Sequence, residues 1–391
     1  MEEILSYFIF DTIGIIILFV LLLALLIQVF FYINYYKKPV SYYNDSSSES
    51  GNTMDKPSVS VIIIAKNESE NLAKNLPAVL TQDYPDFEVI VVNDGSTDQS
   101  ENLLKKLKLE YSHLYSTFSP EPPYEHDARK QKLLSMTIGI KAAKKDVLLF
   151  TEADSVPYSN NWISSMISRL TSDKDIVIGY CNYETFKGIR GRIAAFDNLL
   201  FTLQYMSMAI KSKPYIGFYR NTAYRKKLFF ENKGFSSSLK YENAQDIFLN
   251  NIMTESNTAI ALSESSFVAS ELSSFRMWRF LKTSYMRAKN HFSNFKPKIF
   301  YTETSTRYLF YIATLTSIIY SSLFSLWIYL GSAIILFFCR YFVQFIVLNK
   351  ASQHFHTEKF SLSLPVMDLL QPYYNTSFWK KSKKRSRKKG L

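Results

Sequence analysis

An α/β fold on a mostly parallel sheet is what the chain predicts, and three stretches carry that prediction. Ser58–Ala65, Val89–Val92 and Val147–Thr151 are short apolar runs, the first two dominated by β-branched residues, as in strands covered on both faces. Each gives way abruptly to polar residues: Lys66-Asn67-Glu68, then Asn93-Asp94-Gly95-Ser96-Thr97, then Glu152-Ala153-Asp154. Ligands of parallel α/β sheets bind beyond the carboxyl ends of the strands, which makes these loops the candidate site.

Taken in order, Thr12–Ile33 is apolar apart from Thr12 and Gln28, long enough to cross the ~30 Å hydrocarbon layer as a helix. The acidic leader, the length of the apolar core and the lack of a small-residue cleavage site favour a retained anchor over a cleaved signal peptide. Phe30, Phe31, Tyr32, Tyr35 and Tyr36, followed by Lys37 and Lys38, read as an interfacial aromatic belt with positive charge inside. A serine-rich linker follows.

At the end of the second strand Asp94 is placed to grip a ribose or a base, although Asp94 or Asp98 also suits a helix cap, as does Asn67. Ser119–Asp127 holds three prolines and no periodicity, so it reads as a surface loop over the site. Arg129-Lys130-Gln131-Lys132 opens the next helix, where cations are awkward unless an anion binds, and Lys130 or Arg129 can close upon phosphate. Glu152 and Asp154, at i and i+2 past a strand, suit a divalent ion carrying a diphosphate. Trp162 marks a helix start, Asp175–Tyr180 a strand, and Ile193–Ile210 an amphipathic helix that is either buried or rests on the membrane. Tyr308–Cys339 has no charged residue and the apolar character runs on to Leu348, which is enough for two spans with a turn near Ser325–Gly331.

Net charge is +12, but eight of the ten residues 380–389 are basic, which leaves +4 elsewhere. Beside membrane segments such a tail meets anionic lipid rather than nucleic acid. Two cysteines cannot make a disulfide framework, none of the five histidines forms a ligand cluster, and no GxSxG, P-loop or zinc pattern appears. Hydrolase and NTPase readings therefore lack support.

The order AKNE (Ala65–Glu68), VNDGSTD (Val92–Asp98), RKQK with GIKAA (Gly139–Ala143), TEAD (Thr151–Asp154) and RNTAYRK (Arg220–Lys226) resembles the membrane-bound family 2 glycosyltransferases over roughly Pro57–Phe292. The resemblance implies a doubly wound GT-A fold and transfer of a sugar from a nucleotide-diphosphate donor, usually with Mg2+ or Mn2+. It implies donor contacts from Ala65, Asn67, Glu68, Asp94, Lys130, Glu152 and Asp154, metal ligation by Asp154 with Glu152, and an acceptor-side loop with Gly217 and Arg220. Tyr219 stands where the family often has a second glycine, which is expected to crowd the backbone. The family's usual base position is Ala244 here, leaving Asp246 or Glu242 as base. Trp278, with Arg279, Lys282, Arg287 and Lys289, keeps the aromatic and basic flavour of the family's acceptor-side motif without its spacing, and suits a helix lying on lipid headgroups.

The expected organisation is an anchor at 1–38, a linker at 39–56, the transferase domain at 57–292, a transmembrane hairpin at 293–350, and an interfacial segment with a basic tail at 351–391. The expected function is an inverting transferase acting on a lipid-linked or glycan acceptor at the cytoplasmic face of the membrane. The competing reading, motivated by Ala244 and Tyr219, is a catalytically impaired nucleotide-binding or scaffolding subunit of polysaccharide assembly.

Overall fold

The computed structural model describes residues 11–46, 56–120, 128–241, 243–292 and 297–388. Helix α1, Thr12–Phe31, continues through a π-helical turn, Tyr32–Tyr36, into α2, Lys38–Ser46, so the segment expected as linker begins as helix. The domain then alternates strand and helix: β1 Val59–Ala65, α3 Ser69–Leu80, β2 Phe87–Asn93, α4 Ser100–Glu110, β3 Leu114–Phe118, α5 Ala128–Ala142 and β4 Val147–Phe150. Its second half holds β5 Ser155–Pro157, α6 Trp162–Ile167, β6 Ile176–Ile178, β7 Cys181–Thr185, α7 Ile189–Ile210, β8 Thr222–Arg225, α8 Lys226–Glu231, α9 Ala244–Ile252, β9 Thr258–Ile260, β10 Val268–Leu272 and α10 Phe275–Lys289. Three long helices close the chain: α11 Ile299–Leu323, α12 Trp327–His354 and α13 Leu364–Lys388.

Seven strands form the main sheet in the order β3-β2-β1-β4-β8-β6-β9. Only β8 runs against its neighbours; the other pairings are parallel. The β-branched runs explain this. In β1, Val59, Val61 and Ile63 enter a core under α3 and α4, whereas Ile62 enters one under α5 and α7, so both faces of the strand are dry and the sheet is doubly wound. Helix α5 lies close upon it: a Cβ at Gly139 would come within 2.9 Å of Ile62 Cγ2, so a methyl there would force the helix outward. Trp162 is wholly buried, and its Nε1 donates to Asn221 Oδ1 at 3.0 Å. A second sheet, β5-β10-β7, sits beside the main one.

Among the described residues, three helices are long and apolar enough to cross a membrane: Thr12–Asn44, Ile189–Ile210 and Trp327–His354. The second is α7, whose Phe196, Leu199, Leu200 and Leu203 are fully buried, which makes it a core helix of the domain. Helices α1, α11 and α12 pack together through Leu21, Ala24, Leu25, Phe310, Ala313 and Ala333. Their other faces expose Ile16, Phe19, Ile312, Leu315, Ile335 and Phe338, an apolar exterior. The turn between α11 and α12 falls at Ser325, at φ +56°, inside the window read from the sequence.

Charges lock α13 onto this bundle. Asp368 pairs with Arg340 at 2.7 Å and with Arg307 at 3.3 Å, and accepts from the Tyr311 hydroxyl at 2.9 Å. Glu303 pairs with Arg307 at 2.6 Å, and the four charged groups are buried. This also explains how α13 runs through Pro372. Proline cannot donate to the carbonyl four residues back, and Arg307 Nη1 donates to that carbonyl of Asp368 instead, at 3.3 Å. Removing one partner of a buried charge cluster leaves the others uncompensated, so Asp368→Ala is expected to cost about 3–5 kcal/mol. Thermal unfolding in detergent micelles tests this; an unchanged midpoint would show that the network does not hold α13.

Candidate functional site

The carboxyl ends of β1, β2 and β4 lie side by side, with Ala65 opposite Asn93 in the parallel register. The loops beyond them are cross-tied. Asp94 N–H donates to the Ala65 carbonyl at 2.8 Å, and Asn67, at φ +55°, accepts the Thr97 N–H on Oδ1 at 2.8 Å. Asp98 takes the capping work: its oxygens accept from Ser69 N at 2.9 Å and Ser100 N at 3.0 Å, so one carboxylate caps both α3 and α4. The Ser100 hydroxyl first, and then those backbone bonds, hold its carboxyl below the usual range against the opposing effect of burial. Asp94 is thereby released from capping, and its buried carboxylate accepts from Ser135 Oγ on α5 at 2.5 Å.

Beyond β4, Glu152 and Asp154 converge on one guanidinium. Arg220 Nη2 lies 2.7 Å from Glu152 Oε2, and Arg220 Nη1 lies 2.5 Å from Asp154 Oδ1 and donates to Ser270 Oγ at 2.5 Å. Lys132 Nζ reaches Glu152 Oε1 at 3.1 Å. Burial alone would raise the Glu152 carboxyl, but Arg220 and Lys132 outweigh it and hold the group ionised well below its ordinary value. Glu68, hydrogen-bonded to Asn71 at 2.6 Å, is pushed up by burial, with Asp154 and Glu152 adding to the shift.

Asp246 stands in the first turn of α9, behind Asn243 in the left-handed conformation. Desolvation raises its carboxyl to about 7; Lys132 opposes that shift and Glu152 adds to it. This carboxylate therefore shares the field of the Lys132–Glu152 pair. Asn243 is pinned by a two-way exchange with the Ser284 hydroxyl on α10, at 2.6 and 2.9 Å. Ala244 is fully buried among the core side chains. Glu242 lies outside the described residues, as does 121–127 of the proline-rich loop.

Several side chains stand apart from the places the sequence suggested. Lys130 is exposed, and it is Lys132 that turns into the cluster. Both belong to RKQK, but two residues on a helix point ~200° apart, and Lys132 shares its face with Ser135. Gly217 packs against α9, where an added Cβ would meet Leu249 and Met253 at 3.1 and 3.2 Å. Tyr219 crowds nothing: its ring turns into the core, edge-on to Phe150 at 4.9 Å. Trp278 is 4% exposed, packed tilted against Tyr374 and edge-on to Phe378 of α13, and its Nε1 donates to buried Asp197 at 3.3 Å. That face of α10 meets protein rather than lipid.

Among the described residues no group of three or more His, Cys, Asp or Glu is arranged to hold a metal by itself. The donor set nevertheless suits one. Two hard carboxylates already converge on a cation, and Mg2+ takes one or two carboxylates and completes its shell with water and substrate phosphate.

Residues 60–232 match the family model for glycosyl transferase family 2. Glycosyltransferase AglE of Haloferax volcanii is 30% identical over 125 residues, which is 32% of this chain and 38% of that protein. The poly-β-1,6-N-acetyl-D-glucosamine synthase of Staphylococcus epidermidis is 26% identical over 98 residues, 25% of this chain and 22% of that one. The chain thus aligns with well under half the length of these relatives. The solved structure of the mannosyltransferase PcManGT from Pyrobaculum calidifontis, in complex with GDP-Man and Mn2+, superposes at a TM-score of 0.49 with 14% identity, covering 81% of this chain and 98% of that one.

Proposed function

Because residues 60–232 match the family model for glycosyl transferase family 2, we propose that the chain transfers a sugar, with inversion, from a nucleotide-diphosphate donor to a lipid-linked or glycan acceptor at a membrane surface. One observation carries the reading: the Asp246 carboxyl, raised by burial, feels the charges of Lys132 and Glu152, which belong to the cluster of two acids and two cations beyond β4.

In this reading the β1 and β2 loops hold the nucleoside, with Asp94 and Glu68 as acceptors for its hydroxyl or amino hydrogens and Ala65 and Asn67 as their scaffold. Lys132 and Arg220 bind the diphosphate. Glu152 and Asp154 would hold Mg2+ or Mn2+, which supplies positive charge against the diphosphate as it leaves. Asp246 takes the proton from the acceptor hydroxyl while that oxygen bonds to the anomeric carbon. The bond from that carbon to the diphosphate breaks on the opposite face, and its electron pair departs with the phosphate. The crowding expected of Tyr219 loses its force, since its ring faces the core beside Phe150, and with Ala244 buried the proton acceptor in this reading is Asp246, which points away from Ala244 on the same helix.

The bundle of α1, α11 and α12 would be the membrane anchor. Exposed Lys37 at the end of α1 and Lys380, Lys381 and Lys383 on α13 belong to the end of the bundle that meets the domain. By the preference of basic residues for the cytoplasm, the domain faces that side.

Purified protein screened against nucleotide sugars for release of nucleoside diphosphate tests the reading. Lys132→Met should raise the donor KM on the order of tenfold, as expected for one lost charge-assisted phosphate contact, and Lys130→Met should leave it unchanged. Equal effects, or none, would remove Lys132 from the donor site.

A further inference from the structure

Asn243 stands at the N-cap of α9 in the left-handed conformation, φ +60°, and its side chain makes no capping bond to that helix. Both facts need a cause. Asparagine is among the best N-cap residues, and left-handed backbone at a residue other than glycine persists only where its surroundings hold it. Here α10 does the holding. Ser284 Oγ accepts from Asn243 Nδ2 at 2.6 Å and donates to Asn243 Oδ1 at 2.9 Å. One hydroxyl therefore closes on both ends of the amide and fixes the way it faces.

The amide is in turn joined to Asp246. An amide nitrogen carries two hydrogens, of which Ser284 takes one. Burial raises the Asp246 carboxyl, and beside the charges of Lys132 and Glu152 the Asn243 side chain acts on it in the sense of a hydrogen bond, lowering it. The backbone supplies a further tie, since the Asp246 N–H donates to the Asn243 carbonyl at 3.0 Å. Asn243 thus grips Asp246 twice, and is itself gripped from another helix.

Helix α10 has reason to stay where it is. Lys282 pairs with buried Asp197 of α7 at 2.8 Å, Trp278 Nε1 donates to the same carboxylate at 3.3 Å, and Gln371 of α13 donates to it at 2.9 Å. Gln371 also accepts from Arg307 at 3.2 Å, which carries the clamp into the buried charges of the bundle. Lys282 and Ser284 are two residues apart, ~200° around the helix axis. One side of α10 is therefore held by α7 and α13 through a single carboxylate, while the other presents the Ser284 hydroxyl to α9. Ser284 is 9% exposed, so little water competes for that hydroxyl.

We propose that Ser284 is a positioning residue for the transfer reaction: by holding the Asn243 amide it fixes where the Asp246 carboxylate points. It acts only through Asn243. The inference rests on the reading of Asp246 as the base.

The full chain in nonionic detergent is assayed for release of nucleoside diphosphate from UDP-glucose, UDP-N-acetylglucosamine or GDP-mannose, whichever turns over fastest. Ser284→Ala should lower kcat about tenfold, the loss of one hydrogen bond to an oriented group, with the donor KM unchanged. Ser284→Thr keeps the hydroxyl and should recover most of that loss. Asn243→Gly adopts the left-handed backbone without strain but lacks the amide, so it should lower kcat to the same degree, and adding Ser284→Ala to it should change nothing further. In the Asp246→Asn background Ser284→Ala should likewise be silent, because residues acting through one group are not additive. Unfolding midpoints near that of the parent protein establish that the variants are folded. If Asp246→Asn impairs release but Ser284→Ala turns over like the parent, lowers kcat equally with and without Asp246, or raises the donor KM as much as it lowers kcat, the positioning role is overturned and the base stands. If Asp246→Asn itself retains parent turnover, the base reading is defeated and the positioning of that base with it.

Discussion

Replacing Asp154 with alanine is expected to lower sugar transfer by roughly two to three orders of magnitude, the range seen when one positioned group opposite developing charge is lost. The expectation follows from the convergence of Glu152 and Asp154 on Arg220, whose side chain is 8% exposed. Arg220 keeps Glu152 and the Ser270 hydroxyl when Asp154 is shortened, so the cleft should survive and the loss should be chemical rather than structural. Two measurements separate these. The unfolding midpoint should move little, and Mn2+ affinity, read by electron paramagnetic resonance on the protein without donor, should fall at least about tenfold with one of two carboxylate ligands gone. Chelation of divalent ions should reproduce the loss of transfer in the parent protein. Turnover that ignores both the substitution and the chelator would refute metal binding at these carboxylates.

The architecture was legible where one kind of signal ran unbroken along the chain. Continuous β-branched runs can only be buried on both faces, which dictated parallel strands, and acids directly after them had to fall at the sheet's binding edge. The turn at Ser325 was legible for the same reason, as a short lapse in a long apolar run. What the chain did not disclose was the direction of individual side chains. Lys130 and Lys132 are equivalent in a motif and nearly opposite on a helix, and the choice of face depends on α5 lying with Gly139 against Ile62. Tyr219 looked like an obstruction because a large residue replaced a small one, but the backbone there turns the ring toward Phe150. Trp278 and the basic residues of α10 read as a membrane face because their true neighbour, α13, lies some hundred residues later. The helix in fact runs through Pro372, with Arg307 donating to the carbonyl that proline leaves unpaired, and covers Trp278. Asp197 gave no signal at all: a lone acid in an apolar helix becomes meaningful only once Lys282, Trp278 and Gln371 are seen to converge on it.

Asp246→Asn is expected to cost transfer about 10²–10⁴-fold while leaving donor affinity intact, the usual contribution of a positioned general base. The pH dependence makes the assignment specific. Burial holds the Asp246 carboxyl at about 7, against 3.8 for an ordinary aspartate, and a base works only in its ionised form. The parent enzyme's kcat/KM should therefore rise tenfold per pH unit below about 7 and level off above it, whereas the residual activity of Asp246→Asn should show no such limb. Stability must run the other way. A carboxyl that binds its proton more tightly when folded favours the fold at low pH and loses that advantage as pH rises from about 4 to about 7. Asp246→Asn should abolish that decline too, which a series of unfolding midpoints between pH 4 and pH 8 would register without any substrate. Any buried carboxyl whose pKa folding raises would give both profiles, so it is their joint loss in Asp246→Asn that identifies the group. If Asp246→Asn retains both profiles and Glu242→Gln removes the rate limb, the proton acceptor is Glu242, and the field of Lys132 and Glu152 at Asp246 serves the donor phosphate alone.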